Sequence, residues 1–313
     1  MMKNILNTLI VFLFLGLLVL VFLERNVVFE SVSYSLKIWT TTLIPTMFPF
    51  FVISDILISY HITQYIPSFI KNVFSKVFHV SENVVTIFFL SCISGFPSNA
   101  RNTKNFYLQN LISREEAERA LTFTHFSNPI FVLTVVGGTF FHNEIYGIII
   151  LISHILGNIL IGILFRGKST PCKNYTTLKT KSQSFSQVFI RSIKSSIDTL
   201  LLIAGTLTFF LIVSSLIIQL FSFSPYPGAI VKGGLEITMG LRELSYLGIA
   251  DIYKVVIAAM FLSFGGLSVH LQVISQIVET DISYFPFFVF RLIHALLSGG
   301  CAYFLFHLMK TLI

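Results

Sequence analysis

Ser94-Gly95-Phe96-Pro97-Ser98-Asn99-Ala100-Arg101 interrupts an apolar stretch that runs over residues 84–112. Both flanks of that stretch are basic. Lys71 and Lys76 precede it, and the segment from Arg101 to Arg119 is basic on balance. Basic flanks favour the cytoplasmic side of a membrane, so a straight crossing places one flank on the wrong side. A re-entrant hairpin places both on the same side. Glycine and proline are the residues a sharp turn between two half-helices requires, and the tip falls on residues 94–99.

Working outward, the chain of 313 residues alternates such apolar runs with short charged clusters. Its mean hydropathy is +0.83 and 11% of its residues are charged, against roughly 25% in soluble domains. The runs cover 5–23, 36–60, 84–112, 117–141, 144–165, 195–221, 226–250, 252–277 and 284–308. They are continuously apolar and about 20 residues long, which suits helices crossing a bilayer core of roughly 30 Å. The expected class is an all-α polytopic membrane protein. Residues 61–82 carry Lys71, Lys76 and His79 among Ile, Phe and Val, and read as an amphipathic helix on the interface. After Ile5–Leu23 comes Glu24-Arg25, with no small-residue cleavage site, so the first run reads as a retained transmembrane helix.

Net charge is +7. Much of the excess lies in 166–194, where Arg166, Lys168, Lys173, Lys179, Lys181, Arg191 and Lys194 occur without an acid. This loop, and with it the N-terminus, is expected in the cytoplasm of a cell-membrane protein. Nucleic acid is not an expected partner; the lipid bilayer is. Cys92, Cys172 and Cys301 lack metal-ligand spacing and read as small apolar residues.

Motifs recur at a near-constant offset. Phe123, Phe126 and Leu133 match Phe261, Phe264 and Leu271; His154 matches His294; Ser94-Gly95-Phe96 resembles Gly233-Gly234-Leu235. The offsets are 138 (264 − 126), 140 (294 − 154) and 139 (234 − 95). The division that follows is 1–35, an N-terminal helix and connector; 36–165, a first repeat; 166–194, the basic loop; and 195–313, a second, inverted repeat. The second hairpin, 226–250, then enters from outside with its tip at Gly233–Gly240. Secondary transporters commonly bind solute between such repeats.

Four interruptions are expected to meet: the two tips, Ser127-Asn128-Pro129, and Gly265-Gly266-Leu267-Ser268. Unpaired backbone groups there are tolerable only against protein or water, so a polar cage is expected, lined by Ser94, Gly95, Ser98, Asn99, Ser127, Asn128, Glu236, Thr238 and Gly266. An acid inside an apolar hairpin is usually functional; Glu236 is a candidate for a coupling cation, a proton or the solute itself. Arg101 suits carboxylate recognition. His154 and His294 are candidates for hydrogen bonds across the bundle or for proton transfer; His125 and His270, beside the breaks, are open in the same way. No metal site or catalytic residue is expected, and the signatures of common enzymes are missing.

Gly95-Phe96-Pro97 with Asn99-Ala100-Arg101, then Arg114–Arg119, Phe123-Thr124 and Ser127-Asn128-Pro129, then Gly234–Gly240, resemble motifs of the YlbJ-type sporulation integral membrane proteins, within the nucleoside-recognition (Gate) domain group. The resemblance covers about residues 36–308. This chain is shorter than typical members and has Arg101 where Lys is expected. The resemblance implies a fold related to concentrative nucleoside transporters, with two re-entrant hairpins and two broken helices. It also implies a role in endospore formation, with dipicolinate passage across the outer forespore membrane. The expected function is alternating-access transport of a small anionic solute, coupled to H+ or Na+. A nucleoside or related solute, and a non-transporting scaffold for spore assembly, are the alternatives. No cofactor is expected; a homo-oligomer is a further candidate partner, with no interface for it legible.

Overall fold

The computed structural model describes residues 2–167 and 184–310. Lys168, Cys172, Lys173, Lys179 and Lys181 lie outside the described residues. Every element is helical: α1 Met2–Leu23, α2 Arg25–Ile38, a π-type turn Trp39–Leu43, α3 Ile44–Ser59, α4 Ser68–Phe78, α5 Glu82–Ser94, α6 Ser98–Leu108 and α7 Arg114–Phe123. A second π-type helix, Phe131–Phe140, leads to α8 Glu144–Leu164, α9 Phe185–Phe221, α10 Pro225–Leu235, α11 Ile237–Tyr246, α12 Asp251–Phe264, α13 Gly266–Ile277 and α14 Phe285–Lys310. Among the described residues six helices are long and apolar enough to cross a membrane, and α4 with α5 forms a further apolar pair bent by 99°. The all-α polytopic membrane class expected from the sequence is the class observed.

Local chemistry sets the ends. Ser113 and Glu116 form a reciprocal capping box at the start of α7, and Ser184 and Gln187 form one at the start of α9, each satisfying orphan N–H groups of a first turn. Asn143 accepts from Ile145 and Tyr146 N–H ahead of α8. The second capping box corrects one expectation: the helix expected over 195–221 begins ten residues earlier, so Arg191 and Lys194 are helical. Likewise 36–60 belongs to one continuous span, Arg25–Ser59. Arg25, Glu30 and Lys37 fall in its N-terminal part, where long basic side chains reach the interface, so hydropathy alone truncates it there.

The two expected hairpins are present. α5 and α6 pack side by side around Gly95-Phe96-Pro97, where Gly95 has φ +78° and Phe96-Pro97 is cis. α10 and α11 pack around Glu236, whose backbone is extended. Two further helices are interrupted. One unwinds between Phe123 and Ile130; the other breaks at Gly265 and Gly266, both at positive φ, a conformation that glycine adopts at no steric penalty.

The long helix α9 serves as a ruler along the bundle. Near its N-terminus Arg191 Nη2 donates to Ser59 Oγ at 2.7 Å, and one turn on Arg101 of α6 donates to Ser195 and Thr199. Ile203 and Leu207 lie beside both tips, Phe96 and Glu236. Gly228 of α10 lies near Ile218, toward the far end. The hairpins therefore enter from opposite ends of the bundle and meet near its middle. The outer faces are apolar: α1 exposes nearly all of its Leu, Ile, Val and Phe side chains, the surface a lipid-facing helix presents.

Hairpin 2 depends on two glycines. A Cβ on Gly240 would collide with the backbone of Gly233, whereas one on Gly234 would meet nothing within 4 Å. Gly240→Val is expected to cost about 1–3 kcal/mol, as overpacking does, and to lower the midpoint of thermal unfolding in detergent. Gly234→Ala is expected to be neutral or slightly stabilising, since alanine favours a helix interior by roughly 0.5–1 kcal/mol over glycine.

Candidate functional site

The four breaks touch one another pairwise. A Cβ on Gly95 would sit 2.5 Å from Asn128 N, so tip 1 rests directly on the first broken helix. A Cβ on Gly266 would sit 3.2 Å from Gly233 O and 3.3 Å from Ile237 N, so tip 2 rests on the second. The tips join through Phe96, Ile237 and Val269, which form a small buried cluster. The broken helices join where His125 stacks on Phe96 at 5.1 Å and its Nε2 approaches Gly265.

Around this junction lies a cavity of about 30 Å³, bordered by Phe96, Glu236, Thr238, Ser268 and Gln272, with Ile203 of α9 and Met47 of α3 among its apolar walls. A volume of that size holds about one water. Glu236 is 3% exposed, and its Oε2 accepts from Met239 N–H at 2.8 Å. It is thereby the N-cap of α11 and a wall of the cavity at once.

The other expected residues divide. Thr238 lines the cavity, and Gly266 lets the second broken helix reach tip 2. Asn128 Oδ1 accepts from Ile130 and Phe131 N–H, starting the helix that Pro129 would otherwise leave uncapped, and Asn128 Nδ2 reaches Ser94 O at 3.5 Å. Ser127 N–H donates to His154 Nε2. Asn99 Oδ1 accepts from His125 Nδ1 at 3.2 Å. Ser98 Oγ, Asn99 Nδ2 and Ser127 Oγ are buried without a hydrogen-bond partner, a rare condition in a folded interior. Ser94 Oγ turns back to Leu90 O and does not reach the cavity.

Arg101 departs from its expected place. It does not line the central cavity. Its Nη2 donates to Asp55 Oδ1 at 2.7 Å, and its Nη1 donates to Ser195 Oγ and Thr199 Oγ1. Its position in sequence explains the difference: it follows Phe96 by more than a helical turn, which carries it along α6 away from the tip. Ser268, expected as part of the second helix break, joins the cavity wall, and Asp55 and Gln272 are absent from the expected residues. Only their packing partners, distant in sequence, distinguish Asp55 and Gln272 from ordinary polar groups in apolar helices.

Beside the breaks, α8, α12 and α14 bury a polar network. Arg291 is fully buried, and its guanidinium donates to Thr122 O, to Asn158 Oδ1 at 3.3 Å and to His294 Nδ1 at 2.8 Å, with Phe287 under it at 5.3 Å. His294 Nε2 in turn donates to His154 O at 2.8 Å. Because His154 Nε2 accepts from Ser127, its Nδ1 carries the proton and donates to Ser263 Oγ at 2.9 Å, which donates to Ser298. These partners assign each ring one proton. The two histidines matched in sequence thus bond across the bundle. His270 is held likewise, donating to Phe264 O and accepting from Tyr284. Among the described residues no group of His, Cys, Asp and Glu has the arrangement of a metal site.

A family model described as Gate, nucleoside recognition, matches residues 40–143, a range that contains hairpin 1 and the first broken helix. The chain is also 28% identical to the sporulation integral membrane protein YlbJ of Bacillus subtilis (strain 168), over 94% of this chain and 81% of that protein. The resemblance carried by the hairpin motifs is borne out by both. No solved structure matches the chain.

Arg291 closes the C-terminal end of α7, where Thr122 has no helical N–H to meet. Arg291→Met would leave Thr122 O, Asn158 Oδ1 and His294 Nδ1 without their donor. Each orphaned buried group costs about 1–3 kcal/mol, so this variant is expected to show a large drop in thermal stability in detergent, exceeding that of Ser298→Ala.

Proposed function

We propose that this chain is a membrane transporter for a small anionic solute, working by alternating access between two oppositely inserted hairpins. The observation that carries the reading is that four helix interruptions touch pairwise beside one small cavity, with Phe96 and Glu236 of the two tips and Ser268 of the second break in its wall. Such interruptions are tolerated inside a membrane where they line a solute or ion path, and a buried carboxylate there is a functional group by default.

In this reading Glu236 is the coupling or gating acid. Its carboxylate holds the start of α11 while ionised and releases it on protonation or on meeting a cation. Thr238, Ser268 and Gln272 supply neutral polar contacts. Ser98, Asn99 and Ser127 hold donors and acceptors that gain partners when the tips part. The two halves act as inverted repeats, with the basic flank of α9 in the cytoplasm. Alternating exposure then follows from one hairpin withdrawing while the other stays seated.

The likeness to a sporulation membrane protein makes dipicolinate, a planar dicarboxylate, the first solute to test. The nucleoside-recognition description of the matched family model makes nucleosides the second. In proteoliposomes the chain is expected to accumulate dipicolinate, with nucleosides as rival substrates in parallel assays. Glu236→Gln is expected to abolish uptake while inserting normally, because the neutral amide keeps the shape but not the charge. Uptake by that variant at the parent rate would remove Glu236 from the mechanism.

A further inference from the structure

A second cavity, of about 650 Å³, opens beside the N-terminal end of α9. Its walls carry Arg101, Arg191, Lys194 and Asp198, together with the hydroxyls of Ser195 and Thr199. Paired with Asp55, Arg101 is compensated; Arg191 and Lys194 then outnumber Asp198, so the space is net positive. Arg191 and Lys194 stand on the first turns of a helix of 37 residues, about 55 Å long at 1.5 Å per residue. That length exceeds the hydrocarbon core, and its N-terminal turns reach the membrane surface.

This basic cavity and the central one are separated by a thin septum. Along α9, Thr199 borders the first and Ile203 the second. Along α13, Gln276 borders the first, while Gln272 and Ser268 border the second. On either helix the step is one turn, about 6 Å. On α3, Met47 walls the central cavity and Asp55 holds Arg101, with Phe51 fully buried between them. The Arg101 guanidinium lies 5.9 Å from the Phe51 ring. Two polar atoms in the septum, Arg101 Nε and Gln272 Oε1, are buried without partners.

We infer that the basic cavity is the entry vestibule for the anionic solute, and that the Arg101–Asp55 ion pair over Phe51 is the gate in its floor; this rests on the transport reading above. The orientation of the guanidinium is the argument. Asp55 holds the Nη2 nitrogen through a single oxygen, and Nε beside it on the same edge has no partner. That edge is the one a carboxylate engages with two parallel hydrogen bonds. A solute carboxylate arriving in the vestibule makes both bonds where Asp55 makes one. It takes Asp55's place, and releases α3 from α6. The gate is therefore selective as well as closed: a neutral solute offers Arg101 no such exchange.

The test reads solvent access, independent of solute identity. Cys92, Cys172 and Cys301 are replaced by Ser, Ile190→Cys or Ile203→Cys is introduced, and labelling by a charged methanethiosulfonate is timed in lipid nanodiscs. Ile190 lines the vestibule and is 54% exposed, so Ile190→Cys is expected to react fast in every background, reporting a folded vestibule. Ile203→Cys is expected to react slowly, and at least about tenfold faster in Asp55→Ala, the factor that a shift of about 1.4 kcal/mol produces. The exchanged pair Asp55→Arg with Arg101→Asp is expected to restore slow labelling. Should Asp55→Ala lose the fast Ile190→Cys reaction, Asp55→Asn, which keeps the side-chain shape, carries the same expectation. Unchanged Ile203→Cys labelling in a folded Asp55 variant overturns the gate, even with uptake intact. Accelerated labelling without accumulation of any solute supports the passage and removes the carrier.

Discussion

A helix broken inside a membrane leaves backbone N–H and C=O groups that hydrocarbon cannot satisfy. This requirement organises the interior of the protein. Each interruption is closed by a side chain from nearby or from another helix. Glu236 receives Met239 N–H; Asn128 receives Ile130 and Phe131 N–H; His154 receives Ser127 N–H. On the carbonyl side, Arg291 meets Thr122, Asn158 meets His125, and His270 meets Phe264. Six polar residues buried in otherwise apolar helices are thus accounted for as partners of broken backbone.

The same side chains form the walls and supports of the central junction. Glu236 both caps the first turn of α11 and borders the cavity, so its side chain cannot turn away from Met239 without uncapping that turn. Asn128 bridges the tip of hairpin 1 and the helix that follows the first break, so a shift in one is felt by the other. The α8–α14 network behaves differently. Gly157 admits His294 and Ser298 against α8, where a Cβ would lie 2.5 Å from Ser298 Oγ, and Arg291 ties α14 to α7. This block is closely packed, and interiors of that kind change between discrete packings, not by continuous deformation.

Charge follows a gradient along the bundle. The end that carries Arg191 and Lys194 is basic and open; the middle holds the Arg101–Asp55 pair; the centre retains a single carboxylate, Glu236, against neutral polar groups. Buried pairs are poor stabilisers relative to apolar packing, because desolvation offsets their attraction. A pair at the thinnest point between two cavities therefore invites explanation by what it does when separated.

The class, the place of the four interruptions and the acid among them are legible in the chain alone. Those features are local: an apolar run of bilayer length, a Gly-Phe-Pro turn at 95–97, a proline at 129, paired glycines at 265–266 and a carboxylate at 236 each declare themselves within a few residues. The sequence located the ends of spans less well. Arg25–Ser59 and Phe185–Phe221 run past their apolar cores, because capping and snorkelling extend a helix where hydropathy falls. Partnership emerged only with the packed helices. That Arg101 faces Asp55 and not the central cavity, that Arg291 caps α7, and that Gln272 joins the cavity wall depend on helices far apart in the chain meeting at a particular register and rotation. A side chain's role in a bundle is set by the face opposite it, and no local pattern in the chain encodes that face.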